Sequence, residues 1–351
     1  MNASEIARIL ADRAFPDPCE SPPQLLETHI SWVLLADRYA YKIKKPVCYD
    51  FLDFSTLSQR NYFCRREILL NARLTQGIYL EKIPVMQQGH NIRIGEGEGT
   101  VIDYAIRMRR MDAALQMDQM LREGRVTEQQ LDGIAEVLAH FHQHTRTIEV
   151  QHPAGRFRKA FNDLAQLDPE ALEAIPRELG TVIPFALNVS DAFLAEVDAL
   201  LLMRSQQGYF RDCHGDLHSG NIFLYDPPVL FDCLEFNDEL RITDILDEVA
   251  FLCMDLEWHG YPELSEHFMR AYLSWIPCMH TASEYLLFVW YKFYRANVRA
   301  KVLLLAGTQE GDPGPKRTAA IEHLRLMQHY AGILAGEFPA PYKPIFIEED
   351  Q

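Results

Sequence analysis

The chain has 351 residues, 48% of them hydrophobic and 24% charged, with a formal net charge of −16; that is enough apolar material for one large or two moderate domains and rules out a disordered or fibrous chain. Seven cysteines, without a CxxC pair or a Cys/His cluster, indicate reduced thiols in a cytoplasm rather than a disulfide framework. Residues 1–76 hold ten Lys/Arg against nine Asp/Glu, whereas residues 232–257 hold nine acids and one base, Arg241; such a field repels nucleic acid, and it either attracts a cationic small molecule or does no more than keep the chain soluble.

Residues 2–14 have the spacing of a short amphipathic helix. Arg8, Asp12 and Arg13 interrupt any signal-peptide core there, and the prolines between 16 and 23 end the helix. Two β-like runs at 29–35 and 39–43 are joined by a turn at Ala36-Asp37-Arg38. A helix is predicted over 60–74, with its periodicity carried by Phe63, Ile68, Leu69 and Leu70. A second strand pair, 83–86 and 91–94, precedes a glycine-rich turn at 95–99 and a strand over 101–108. After Met111 the texture is helical: 116–121, 128–142, 190–204, 245–256, 264–275, 284–306 and 317–335, with a polar Gly/Pro loop at 308–316. The apolar run at 285–291 is far too short to span a bilayer, so no membrane is expected. A β-rich first third before a helical remainder predicts an α+β fold with two lobes. Residues 1–24 form a helical, proline-rich lead-in, 25–111 an antiparallel sheet with one helix, and 112–351 a helical lobe.

The chemistry concentrates in Cys213-His214-Gly215-Asp216-Leu217-His218-Ser219-Gly220-Asn221, followed by Ile222-Phe223-Leu224 and Val229-Leu230-Phe231-Asp232. An Asp, an Asn five residues on and a second Asp eleven beyond that is the spacing that holds a magnesium nucleotide against an acceptor hydroxyl. Asp216 is the candidate catalytic base or hydroxyl-orienting residue, with an Asx-turn as its structural alternative. Asn221 offers a neutral oxygen and Asp232 an anionic one, a donor pair suited to Mg²⁺. His214 is expected to pack or hydrogen-bond within the loop; for His218 a phosphate contact and a backbone hydrogen bond both stay open. Lys42, in Ala40-Tyr41-Lys42, is the candidate for gripping the α- and β-phosphates, and Lys44 on the same strand face is its rival. An edge strand rich in lysine is the structural alternative. Glu67 is the ionic partner expected for Lys42, or else a surface acid.

Other polar residues read as structural. Thr243 or Asp244 suits the N-cap of the next helix, and Asp247 follows in its first turn. His140, His142 and His144 lack an accompanying HExxH glutamate and read as a polar helix end. Arg295, Arg299 and Lys301 form a mainly solvated stripe opposite Leu287, Trp290, Phe293 and Val298.

With these residues the chain resembles the aminoglycoside-phosphotransferase-like branch of the protein-kinase-like superfamily. Glu27-Thr28-His29-Ile30-Ser31-Trp32-Val33, Tyr41-Lys42-Ile43-Lys44-Lys45-Pro46-Val47, Phe51-Leu52-Asp53-Phe54-Ser55-Thr56-Leu57, Phe231-Asp232-Cys233-Leu234-Glu235-Phe236-Asn237-Asp238 and Tyr294-Arg295-Ala296-Asn297-Val298-Arg299-Ala300-Lys301 carry the likeness. The resemblance implies a two-lobed protein-kinase-like fold and phosphoryl transfer from ATP, with GTP as the alternative, to a hydroxyl of a small molecule. It places Met108 at the back of an adenine slot, with backbone groups of Arg109 and Met111 meeting the base. It also implies Mg²⁺ on Asn221 and Asp232, and it makes Asp244 and Asp247 braces of the catalytic loop. Some members carry an extra P-loop ATPase domain; no GxxxxGK[ST] occurs here, so that domain is expected to be absent. The first glycine is Gly77, so no G-x-G-x-x-G loop covers the phosphates. Their contacts fall to the turn at 36–38, to Ser31 or His29, or to the lysines. A nucleotide-binding regulator without turnover is a second reading. A protein Ser/Thr kinase ranks below both, since no A-P-E element follows Phe231-Asp232-Cys233.

Overall fold

A computed structural model of the chain describes residues 1–49, 52–167, 175–307 and 314–336. Two compact units divide it. The first comprises Met1–Met120 together with His214–Asp216 and Gly220–Arg241; the second comprises Leu121–Cys213, Leu217–Ser219 and the chain from Ile242 onward.

The first unit is built on strands β1 (Gln24–Glu27), β2 (Ser31–Leu35), β3 (Tyr39–Lys44), a short pair β4 (Cys48–Tyr49) and β5 (Leu52–Asp53), then β6 (Tyr79–Gln88), β7 (Asn91–Ile94) and β8 (Thr100–Arg109). Six of them form one antiparallel sheet in the order β1-β2-β3-β8-β6-β7. Alternation along β2 and β3 sorts the side chains onto two faces. Trp32, Leu34, Tyr41 and Ile43 share one face with Val85, Ile92 and Ala105, and they pack on Ile6 and Ile9 of helix α1 (Ala3–Asp12). The Asn2/Glu5 capping box starts α1, and Arg13 ends it in a left-handed conformation at φ 48°. The opposite face carries Val33, Leu35, Ala40, Ile106 and Met108, packed with Tyr79 and Phe231 and with Cys64 and Ile68 of helix α2 (Leu57–Asn71). Cross-strand register places Lys42 beside Val33 and Lys44 beside Ser31, on this same face.

Helix α2 turns a different side inward from the one its apolar residues marked. Its buried residues are Arg60, Cys64, Glu67 and Asn71, while Leu69 is 71% exposed. Polar partners override hydrophobic periodicity here: Arg60 Nε donates to Asp103 at 2.9 Å and Glu67 meets two lysines, so the inward stripe is mostly hydrogen-bonded rather than apolar. β1 escaped the sequence reading because all four of its residues are exposed and show no alternation.

The second unit is helical, through Glu128–His144, Pro153–Asn162, Val182–Glu196, Asp198–Gln206, Ile245–Trp258, Pro262–Trp275, Ala282–Gly307 and Gly314–Leu334. The helix expected at 190–204 is two helices that meet at Val197, and Pro153–Asn162 was not foreseen. Of the loop expected at 308–316, residues 308–313 lie outside the described residues, as does Phe51, and 314–316 open the last helix. The solvated stripe expected on Ala282–Gly307 is corrected at Arg295. That side chain is 4% exposed, and its Nε and Nη2 donate to Asp247 at 2.7 and 2.5 Å, inside a helix buried on most of its circumference. Among the described residues no helix is long and apolar enough to cross a membrane. All seven cysteines are free thiols.

Candidate active site

The segments 214–221 and 231–235 are knitted together by main chain before any side chain contributes. Phe231 N–H donates to Asn221 O at 3.0 Å, and Leu234 N–H donates to His214 O at 3.0 Å. His214, fully buried, adds a bond between its Nε2 and Phe231 O at 2.8 Å, and its Nδ1 accepts from Asp216 N–H at 3.3 Å. Gly215 sits at φ 89°, and a Cβ there would lie 3.1 Å from Arg241 Cα and 3.2 Å from Leu234 Cβ. The loop therefore needs glycine immediately before Asp216.

Asn221 Nδ2 donates both to Asp216 O at 2.9 Å and to Asp216 Oδ2 at 3.1 Å. With its nitrogen committed to Asp216, the amide has its oxygen as the remaining ligand atom. Asp232 follows the short strand Val229–Leu230 and adopts φ 64°, a left-handed conformation that Asp tolerates better than most residues. Its side chain is 36% exposed, and Oδ1 accepts from Lys42 Nζ at 2.6 Å.

Lys42 Nζ also meets Glu67 Oε1 at 2.8 Å, and Lys44 Nζ meets Glu67 Oε2 at 2.6 Å. Lys44 is fully buried and reaches Glu235 as well. Two ammonium and three carboxylate groups thus form one continuous chain, Asp232–Lys42–Glu67–Lys44–Glu235. Burial alone would raise the Glu67 carboxyl; the two lysines overcome it and hold the group down to about 2. Glu235 is raised, because burial outweighs the Lys44 ammonium. Lys42 stays charged against burial because Asp232 and Glu67 face it.

Met108 is buried beside Ala40 and Tyr79, in register with both. Arg109 N–H donates to Ile78 O at 2.9 Å, and Met111 is half-buried two residues on. At the turn between β2 and β3, Asp37 accepts from Glu20 N–H at 2.6 Å and from Ser21 N–H at 3.2 Å. That acidic anchor makes the turn a poor cradle for phosphate. On the Lys42 face, Ser31 Oγ and Tyr79 Oη are buried without hydrogen-bond partners among the described residues.

The nine acids at 232–257 are largely spent inside the molecule. Asp232 and Glu235 meet Lys42 and Lys44, and Asp238 meets Arg66 and Arg241. Asp244 binds Arg204, Asp247 binds Arg295, Glu248 binds His142, and Glu257 binds Lys292. Asp255 accepts from Ser219 N–H at 2.8 Å, with His218, His259 and Arg299 acting on its charge. The charge that suggested a cationic acceptor is mostly internal pairing. Asp244 also caps Ile245–Trp258 by accepting from Leu246 N–H at 2.9 Å. His142, Cys213 and Glu248 lie within metal-ligand distance of one another, but both ring nitrogens of His142 are engaged, at 2.7 Å from Tyr272 Oη and 2.7 Å from Glu248.

A curled antiparallel sheet with a buried lysine–glutamate pair, beside an Asp–Asn–Asp loop system, defines the kinase-like class of α+β folds. A choline/ethanolamine kinase family protein from Mesorhizobium loti shares it at a TM-score of 0.53 and 14% identity, over 95% of this chain and 99% of that one. Choline kinase from Cryptosporidium parvum shares it at 0.54 and 13%, over 96% and 98%. Two uncharacterized proteins from Mycobacterium bovis and Mycobacterium tuberculosis are each 37% identical over 308 residues, 86% of this chain. The chain spans 59% of the length of these curated relatives. The model of the phosphotransferase enzyme family matches residues 87–285, and the chain belongs to that family.

Sequence reasoning passed over Asn71, Tyr79 and Glu235. Asn71 Oδ1 accepts from Cys233 N–H at 2.9 Å, next to Asp232. The available signal was spacing: Asn71 stands four residues from Glu67 and shares its helical face.

Proposed function

We propose that the protein is a kinase that transfers the γ-phosphoryl group of ATP, bound with Mg²⁺, to a hydroxyl of a small molecule. The observation that carries this reading is the convergence of Asn221 on Asp216 and of Lys42 on both Asp232 and Glu67. A scaffold without chemistry gains nothing from a partly exposed carboxylate held in a left-handed turn beside a buried lysine.

The residues present fit a magnesium nucleotide. Asn221 and Asp232 would hold the metal as hard oxygen donors. Lys42 is the phosphate-binding lysine, because its side chain is 11% exposed and borders Asp232, whereas Lys44 is enclosed between two carboxylates. The unpartnered Ser31 hydroxyl lies on the same sheet face and suits a phosphate oxygen in a fold without a glycine-rich loop. Ala40, Val33, Leu35 and Met108 offer the apolar walls of a base slot, with the Arg109 carbonyl and the Met111 backbone at its edge. Mg·ATP, when bound, supplies the transferable phosphoryl group and the charge neutralisation that lets it move. Glu67 fixes the Lys42 ammonium, and Asn221 fixes the Asp216 carboxylate. Asp216 then orients the acceptor hydroxyl and takes its proton.

Thermal melting with and without Mg·ATP tests the assignment. At a nucleotide concentration about 100-fold above Kd the wild type gains about 2.7 kcal/mol, seen as a rise in Tm. Asp232→Ala is expected to lose that rise, and Asp216→Ala to keep it. An Asp232→Ala protein that responds to Mg·ATP as wild type does overturns the metal site. ADP release at the wild-type rate from Asp216→Ala removes Asp216 as the base.

A further inference from the structure

His218 and Ser219 belong to the second unit. Around these two residues three helices contribute a polar cluster: Asp255 and Trp258 from Ile245–Trp258, Arg299 from Ala282–Gly307, and His323 from Gly314–Leu334. Arg299 Nη1 lies 3.4 Å from His218 Nε2, and Trp258 stacks on His323 with ring centroids 4.8 Å apart. Asp255 is already engaged by Ser219 N–H, and its carboxyl stays below the ordinary range: burial raises it, but His218, His259 and Arg299 outweigh burial.

Three buried side-chain atoms of this cluster have no hydrogen-bond partner among the described residues: Arg299 Nε, Trp258 Nε1 and His323 Nε2. His323 is 1% exposed, and burial holds it neutral, with its pKa pushed down to about 4. Its Nδ1 bonds Ala319 O at 2.8 Å, so Nδ1 carries the proton and Nε2 presents a lone pair. Two N–H donors, one of them cationic, thus await an acceptor group, and one imidazole lone pair awaits a hydroxyl proton. Leaving such groups unpaired is costly, and a ligand with the matching pattern recovers that cost. A cationic ligand matches neither donor, and Asp255 is taken.

We propose that Arg299, Trp258 and His323 form a ligand-binding subsite within the second unit, and that it takes a hydroxylated oxyanion, a hydroxy acid or a sugar phosphate. Arg299 and Trp258 bind the anionic oxygens, and His323 accepts from a neighbouring hydroxyl. This assignment stands apart from the phosphotransferase reading, and its test does not use turnover.

Binding of four probes to the full chain, measured by titration calorimetry, decides the matter: D-glycerate, glycerol 3-phosphate, glycerol and ethanolamine. The two oxyanions are expected to bind at least about tenfold more tightly than glycerol or ethanolamine. Their ranking distinguishes carboxylate from phosphate as the natural group. Arg299→Met is expected to weaken oxyanion binding by about 10- to 100-fold, the worth of a charge-assisted hydrogen bond, and Arg299→Lys to restore part of it. Melting curves check that both variants stay folded. Preference for ethanolamine, absence of oxyanion binding, or unchanged oxyanion affinity in a folded Arg299→Met overturns the proposal. A protein that prefers oxyanions yet ignores Mg·ATP keeps this site and loses the phosphotransfer reading.

Discussion

Lys42 and Lys44 both touch Glu67, yet their removal is expected to leave different signatures. Lys44→Met leaves the Glu67 and Glu235 carboxylates close together with side chains at most 4% exposed, where water cannot replace the lost cation. Breaking a buried ion pair from one side costs about 3–5 kcal/mol. At about 2–4 °C per kcal/mol this lowers Tm by roughly 6–20 °C. Lys42→Met is milder, because Asp232 is 36% exposed and can take up water while Glu67 keeps Lys44 at 2.6 Å. A loss of about 1–2 kcal/mol, or roughly 2–8 °C, is expected. The nucleotide response reverses the order. Lys42→Met is expected to abolish the Mg·ATP-dependent rise in Tm, and Lys44→Met to retain it in whatever fraction stays folded. The double variant Lys44→Met/Glu235→Leu removes both ends of the inner pair and is expected to recover most of the lost stability, since an apolar pair of similar volume is often neutral. Scanning calorimetry at pH 7 with and without Mg·ATP reads all of these. Equal melting losses for the two lysine variants, or a double variant no more stable than Lys44→Met, would refute the division of labour between them.

Acid titration offers a second test, because a carboxyl with a depressed folded pKa stabilises above its unfolded value and loses that contribution as pH falls. For Glu67, held down to about 2, the loss falls between about pH 4.5 and 2. Subtracting the Glu67→Gln melting profile from wild type should therefore give a difference that shrinks across that window; a flat difference rejects the assignment. Gly215→Ala forces a Cβ to within 3.1 Å of Arg241 Cα at φ 89°. It is expected to cost on the order of 1–3 kcal/mol in thermal stability and to lower turnover by displacing Asp216, while a Tm within experimental error of wild type would show that the loop relaxes freely.

The fold class was legible because β2, β3 and β8 are short runs rich in aromatic and aliphatic residues between turn signals, and because the later helices are long. What stayed hidden has physical causes. β1 is exposed on every residue, so no alternation marks it. Val197 joins two helices without proline or glycine to punctuate the turn. Helix α2 buries Arg60, Glu67 and Asn71, and a search for an apolar stripe selects Leu69 instead, which faces solvent. At the site, Asp216, Asn221 and Asp232 were visible as a spacing, and the structure brings them into one unit. The choice between Lys42 and Lys44 was not visible, since residues two apart on a strand share a face whatever lies above them. The acidic stretch was ambiguous for a related reason: a charge count registers nine acids but not the lysines, arginines and histidine that meet most of them from other parts of the chain.

That internal pairing also explains how an acidic chain can hold an ordered site without a glycine-rich loop. Each anchor of the site is tied to a buried polar partner on α2 or β3: Asp232 to Lys42, Lys42 to Glu67, Cys233 N–H to Asn71, and Glu235 to Lys44. Hydrogen bonds of this kind contribute little net stability apiece, but breaking one strands a partner in a space without water. Misplacing the 231–235 segment therefore penalises several groups at once, and the penalty falls on alternative conformations rather than on the native one. On this account the polar stripe of α2 sets where Asp232 stands, and the sheet's apolar packing sets how stably it stands there. Substitutions on the two faces of the sheet should then separate: Ile43 or Trp32 on the α1 side governs stability, whereas Asn71 or Glu67 on the α2 side governs the geometry that the proposed phosphoryl transfer needs.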